Sequence, residues 1–314
     1  MKGFLNNIFV AFVVAVFIFI FNSLPSKSST VRFAQLSDVH YSTTRLDTTY
    51  KLLSHSKELL LDAVNQINCL ENLNFVMVTG DLIDQPIVDS AKETISILNR
   101  LKYPWYYAVG NHDTASGNHL TKQELIEMLA QDNPCYKYDK LYYSFTPKKG
   151  FKVIVLDGAS DVGYISNGKI SGEELKWLDS QLNESKHDVV LLFIHFPLLE
   201  PFPASHHRIL NADEFNCVLA KYKNPIAIFA GHYHTTKIVK KGNILHVASP
   251  ALVSYPNAFR LVTVTNSKDK AVFNFEFKET GLKNIQTKAK LMTLGSSSYY
   301  GEESDRTTTV VIDK

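Results

Sequence analysis

Residues 31–40 read Val31-Arg32-Phe33-Ala34-Gln35-Leu36-Ser37-Asp38-Val39-His40, an apolar run of strand length that stops on two metal-ligand side chains. Similar endings recur along the chain. Asn74 to Thr79 leads into Gly80-Asp81-Leu82-Ile83-Asp84, and Trp105 to Val109 into Gly110-Asn111-His112-Asp113. Val189 to Ile194 leads into His195-Phe196-Pro197, and Ile226 to Ala230 into Gly231-His232-Tyr233-His234. A buried strand has no need of such an ending. Open α/β sheets bind ligands outside the carboxyl ends of their strands, where side chains converge while the sheet holds them rigidly. These endings therefore predict a single site at one sheet edge.

Working outward, further strands are expected at Leu141 to Phe145, Phe151 to Leu156, Asn243 to Ala248, Phe259 to Thr265 and Ala271 to Phe277. Longer segments of helical period separate several of them, the pattern of an α/β fold. Leu52 to Asn68 and Val88 to Leu101 carry apolar residues at i, i+3, i+4 and i+7, one face for a sheet to cover. Thr121 with Glu124, and Ser171 with Glu174, have capping-box spacing and open helices at Gln123 to Ala130 and Glu173 to Leu182. Ten strands are many for one sheet, and two sheets face to face, flanked by helices, would use them all. Periodicity fades after residue 281, so residues 29–281 form the expected domain. Residues 282–314 read as a loosely ordered tail with a possible last strand at Thr308 to Ile312.

The chain has 314 residues, of which 45% are hydrophobic, enough for a sizeable core. Lys and Arg total 33 against 31 Asp and Glu, so no global field would hold a polyanion and no nucleic acid partner is expected. Ile8 to Phe21 is unbroken apolar sequence between Lys2 and the polar stretch Asn22 to Ser29. At roughly 21 Å as a helix it falls short of a hydrocarbon core of roughly 30 Å. Residues 1–28 therefore read as an export signal, or as an uncleaved anchor tethering the protein to the membrane through residues 8–21. Either way the rest of the chain is expected to be exported, secreted or periplasmic. Cys69, Cys135 and Cys217 have no ligand spacing and are expected as small buried side chains.

Carboxylate, imidazole and amide oxygen together suit borderline divalent ions such as Mn, Fe or Zn. Asp38, His40, Asp81, Asn111, His195, His232 and His234 are too many ligands for one ion. The order D-x-H, G-D-x-x-D, G-N-H-D, H, G-H-x-H resembles the calcineurin-like metallophosphoesterases, over about Val31 to Thr265. The resemblance implies a four-layer sandwich of two sheets between helices, and two divalent transition-metal ions. It implies Asp38, His40 and His234 on one ion, Asn111, His195 and His232 on the other, and Asp81 bridging. Two ions about 3.5 to 4 Å apart generate hydroxide from a shared water near neutral pH and neutralise phosphoryl charge. The resemblance makes His112 the proton donor to the leaving group, with Asp113 orienting its imidazole. Purple acid phosphatases have Tyr where this chain has Asp84, so the branch resembled is that of the class III cyclic nucleotide phosphodiesterases.

The expected substrate is a small phosphate ester. His206, His207 and Arg208 follow the His195 strand on a loop that should overhang the site, where a guanidinium would clamp phosphate. That favours a phosphomonoester or nucleotide phosphatase. A cyclic nucleotide or other phosphodiesterase is the alternative, and a binding module without catalysis is the third reading.

Overall fold

Parallel strands joined by helices put the metal-ligand endings on one edge. The computed structural model describes residues 28–163 and 165–314, so the apolar segment Ile8 to Phe21 lies outside the described residues. Strand β1 (Ser29–Leu36) runs parallel to β2 (Phe75–Thr79), and β2 parallel to β3 (Trp105–Ala108). Such pairs need crossovers, supplied by helices α1 (Ser56–Cys69) and α2 (Val88–Leu98). Helix α1 buries Leu59, Leu60, Ala63, Val64 and Ile67, the face its periodicity prescribes. After helix α3 (Lys122–Asp132), a second sheet takes β4 (Tyr143–Phe145), β5 (Phe151–Val155), β6 (Val189–Phe193), β7 (Ile226–Ala230), β8 (Lys237–Lys241) and β9 (Ile244–Ala248). Helices α4 (Gly172–Glu184) and α5 (Ala212–Leu219) make its crossovers. The first sheet is completed by β10 (Ala258–Asn266), β11 (Lys270–Glu279) and β12 (Thr308–Asp313).

The two six-stranded sheets have orders β12-β11-β10-β1-β2-β3 and β4-β5-β6-β7-β9-β8. They meet through aromatic rings: Phe33 of β1 stands edge-on to Phe193 of β6 at 5.5 Å and to Phe229 of β7 at 5.2 Å. With helices on the outside, the result is a four-layer α/β sandwich. The central strands are buried on both faces, which is why β2, β6 and β7 read as continuous apolar runs.

Several expectations need correction. The tail is no loose appendage: α6 (Lys283–Met292), α7 (Ser296–Tyr300) and α8 (Glu303–Arg306) lead into β12, an antiparallel edge strand on β11. Its anchors are single residues, such as buried Asp305, which accepts from the Ile238 N–H and Lys237 Nζ at 3.0 Å each. Isolated anchors leave no hydrophobic period to read. Strand β8 escaped notice because three of its five residues are lysines, a composition suited to a sheet edge. The Thr121–Glu124 capping box forms in full. At Ser171 only the hydroxyl caps, because the Glu174 carboxyl turns inward to accept the Asp157 N–H at 2.7 Å. The cysteines are free thiols, with Cys69 and Cys217 exposed and Cys135 half-buried, rather than core side chains.

Candidate metal centre

Three of the five endings turn sharply as they leave their strands. Asp38, His40, Asp81, His232 and His234 all have positive φ, between 43° and 69°. Among the described non-glycine residues only Asn72 and Asn257 share that conformation. A left-handed backbone costs a non-glycine residue on the order of 1–3 kcal/mol, and such strain gathers where function demands an aim that extended chain cannot provide. Two glycines make the approach possible. Gly80 has φ 83°, and a Cβ there would overlap the His195 ring. A Cβ on Gly231 would overlap Ser37 Oγ and crowd the Asp38 carboxylate.

The donors converge in two groups. Asp38 Oδ1 lies 3.3 Å from His234 Nε2, which lies 3.2 Å from His40 Nε2. His195 Nε2 lies 3.1 Å from His232 Nδ1. Asp81 Oδ2 stands between the groups, 3.3 Å from both His40 Nε2 and His195 Nε2. Asn111 Oδ1 is buried with no hydrogen-bond partner among the described residues, an orphan carbonyl that a cation would satisfy. All seven residues are buried.

Outer contacts fix these side chains. His195 Nδ1 donates to the Thr79 carbonyl at 2.9 Å, which leaves Nε2 as the donor atom of the neutral ring. His234 Nδ1 pairs with Ser254 Oγ at 2.8 Å. The Asp38 carboxylate accepts the His232 N–H at 3.0 and 3.1 Å, tying the first ending to the last. Burial works against the Asp81 charge, but the imidazoles of His195, His112 and His40 outweigh it and hold the carboxyl well below the usual range. Burial likewise pulls His195 down, yet the Asp81 carboxylate prevails and raises it to about 9. Burial lowers His40 and His232, with Lys51 and His195 respectively adding to it. Ionised carboxylates beside imidazoles, of which burial keeps His40 and His232 neutral, are the donor set of a borderline divalent ion, and a cation would take the place of the proton that Asp81 favours on His195, so these residues fit a metal centre.

The calcineurin-like phosphoesterase family matches residues 31–236, more than half of the chain. The protein belongs to that family. An Arcobacter nitrofigilis relative named "Probable glycerophosphodiester phosphodiesterase GpdQ" is 29% identical over 197 residues, covering 59% of this phosphoesterase and 68% of the relative. A manganese-dependent ADP-ribose/CDP-alcohol diphosphatase of Oryza sativa subsp. japonica is 24% identical over 227 residues, covering 57% and 68%. A dimetal phosphatase from Danio rerio shares the fold, with TM-score 0.61 at 19% identity over 82% of this chain and 100% of that one.

Beside the donors, the phosphoesterase has a cavity of about 270 Å³ whose wall includes His112, Lys51, Tyr50, His207 and Tyr299. His112 Nδ1 donates to the Asp84 carbonyl at 2.8 Å. Asp113, expected to orient that imidazole, braces the turn instead. Its carboxylate accepts the Ile83 N–H at 3.1 Å, the Gly110 N–H at 2.7 Å and the Tyr107 hydroxyl at 2.5 Å. Burial, with Asp81 nearby, pushes its carboxyl up to about 7. Asp84, which the sequence reading left outside the seven ligands, also reaches them: its Oδ1 lies 3.3 Å from His40 Nδ1.

Of the loop residues, His207 reaches the cavity, its ring centre 5.1 Å from that of His232. His206 and Arg208 are exposed and stand outside the lining. Main-chain bonds pin Arg208, whose N–H donates to Asn167 Oδ1 and whose carbonyl accepts the Gly168 N–H. The cation within the cavity is Lys51, only 6% exposed, with Nζ 3.2 Å from His40 Nδ1 and 3.6 Å from Asp84 Oδ1. Burial lowers its ammonium pKa, with Asp81 and Asp84 opposing. Lys51 belongs to no motif, and neither spacing nor composition marked it.

Proposed function

We propose that this phosphoesterase hydrolyses small phosphodiesters at a centre of two divalent ions. The observation that carries the reading is the Asp81 carboxylate oxygen lying equally close to one imidazole of each donor group. Asp38, His40 and His234 would hold one ion, Asn111, His195 and His232 the other, and Asp81 both. When bound, the ions supply an activated water and offset phosphoryl charge, and manganese is the metal suggested by the rice relative's name.

The protein's own groups do the rest. The Asp84 carbonyl fixes the His112 ring through Nδ1, and that imidazole, in the wall of the cavity, would pass a proton to the departing alkoxide. The Asp38 and Asp81 carboxylates hold neighbouring turns in register through the N–H groups of His232 and His112. A diester is preferred because Arg208, the residue that favoured monoesters, stands outside the cavity. The names of relatives, a glycerophosphodiesterase and a diphosphatase, point the same way. Lys51 supports a second reading, since its ammonium could offset the additional charge of a monoester. Export remains part of the proposal, resting on the apolar run Ile8 to Phe21.

Turnover of bis-p-nitrophenyl phosphate, p-nitrophenyl phosphate, cyclic AMP and single-stranded DNA, each with Mn and with a chelator, tests the reading. The small diesters bis-p-nitrophenyl phosphate and cyclic AMP should be hydrolysed fastest, and only with metal. A faster monoester reaction would select the Lys51 reading, and no turnover of any ester would leave a binding module.

A further inference from the structure

The C-terminal segment contributes Tyr299 to the cavity wall, the one lining residue that lies beyond residues 31–236 among those described. Its placement is enforced from both sides. Thr235 Oγ1 donates to the Ser298 carbonyl at 2.7 Å, and the Thr236 N–H donates to the Tyr299 carbonyl at 3.1 Å. These two threonines directly follow His234, so the segment is clamped to the turn that carries two donor imidazoles. Tyr300 faces the body, its ring stacked on Tyr255 at 5.7 Å and edge-on to Phe277 at 5.6 Å, with the Arg306 guanidinium 4.1 Å from its centre. Gly301 allows the close pass: with φ 72°, its missing Cβ would otherwise overlap the Thr236 carbonyl.

Tyr299 does not stand alone. It shares the cavity wall with Tyr50, whose ring lies 5.7 Å from that of His234. Phe202 and Tyr233, edge-on to each other at 5.0 Å, line the same cavity. The cavity thus combines a donor cluster with several aromatic rings. Such a combination suits a ligand with an anionic phosphoryl end and a planar apolar end, because a π-face gives attraction that an alkyl group of one carbon cannot reach.

We propose that Tyr299 is a specificity-determining residue, the wall on which a planar aromatic portion of the phosphate ester packs. The proposal rests on the reading of this cavity as the phosphoester site, and non-hydrolysable ligands allow the two to be tested separately. Phenylphosphonate and methylphosphonate present the same anionic head with and without a ring. Calorimetric titration of the manganese-loaded full chain should show tighter binding of phenylphosphonate. Tyr299→Ala should weaken phenylphosphonate about fivefold to tenfold and leave methylphosphonate unchanged. Tyr299→Phe should keep the preference, since the ring face and not the hydroxyl makes the contact.

Equal binding of the two phosphonates by the native protein, or equal weakening of both by Tyr299→Ala, overturns the proposal. So does an unaltered preference in Tyr299→Ala. Turnover of bis-p-nitrophenyl phosphate by the same preparations reports on the phosphoesterase reading alone. An intact ring preference without any turnover would sink that reading and leave the role of Tyr299 standing.

Discussion

Asp81 Oδ2 lies 3.3 Å from His195 Nε2, although the two residues end strands of different sheets. The same oxygen is equally far from His40 Nε2, so one carboxylate joins the two donor groups. Asp81→Asn keeps the shape and removes the charge that both groups share. Metal content by mass spectrometry should fall from about two ions per chain to below one, with the circular dichroism of the fold retained. Two ions per chain in that variant would take the bridging role away from Asp81.

His112 Nδ1 donates to the Asp84 carbonyl, which fixes its imidazole in the wall of the cavity, beside the donors rather than among them. His112→Ala should therefore retain two metals and lower kcat about 10²-fold or more on esters with poor leaving groups. Esters of p-nitrophenol, whose leaving group departs without help, should suffer much less. Loss of metal in the variant would make His112 a ligand.

Glu174 is buried, and burial, reinforced by the Asp157 charge, pushes its carboxyl up from 4.5 to about 9. Between those values the unfolded chain has released a proton that the folded chain still holds. Stability from this group is therefore complete below about pH 4.5 and is lost as pH rises toward 9. Glu174→Gln keeps an oxygen for the Asp157 N–H and removes the titration. Its unfolding free energy from urea titration should gain on that of the native protein between pH 5 and 8, by an amount on the order of a few kcal/mol at the upper end. Parallel pH profiles for the two proteins would falsify the assignment.

Arg260 of β10 is fully buried and donates to the Ala248 carbonyl of the opposite sheet at 2.9 Å and to the Asp305 carbonyl of the C-terminal segment at 2.8 Å. Arg260→Met strands both carbonyls, at roughly 1–3 kcal/mol each. Limited proteolysis should then cut residues 283–307 first, ahead of global unfolding. A cleavage pattern identical to that of the native protein would show that the segment is held by its other contacts.

The alternation of apolar runs and helical periods was enough to place ten of the twelve strands, most plainly β2, β6 and β7, where burial on both faces writes itself into composition. The seven donor residues were legible for a related reason: Asp, Asn and His at the ends of such runs have no structural need to be there. Other features left no such trace. The inward turn of Glu174 looked like half of a capping box, since the same spacing serves either role until the space beneath is known. Asp113 sits in a motif beside His112, yet its carboxylate serves Tyr107 and the turn, because adjacent residues on a tight turn point in different directions. Lys51 lies in a loop without periodicity, and only the approach of that loop to His40 gives its ammonium a place in the cavity.

By itself, then, the amino-acid order determined the layered α/β architecture and the chemical identity of the donors, both of which follow from residue type and short-range period. Tertiary structure alone decided which of these side chains lie together around Asp81 and which cation reaches the cavity. It also decided that the C-terminal segment brings Tyr299 to the cavity wall. These are distances between side chains far apart in the chain, fixed by the packing of two sheets and by left-handed turns, and no local pattern encodes them.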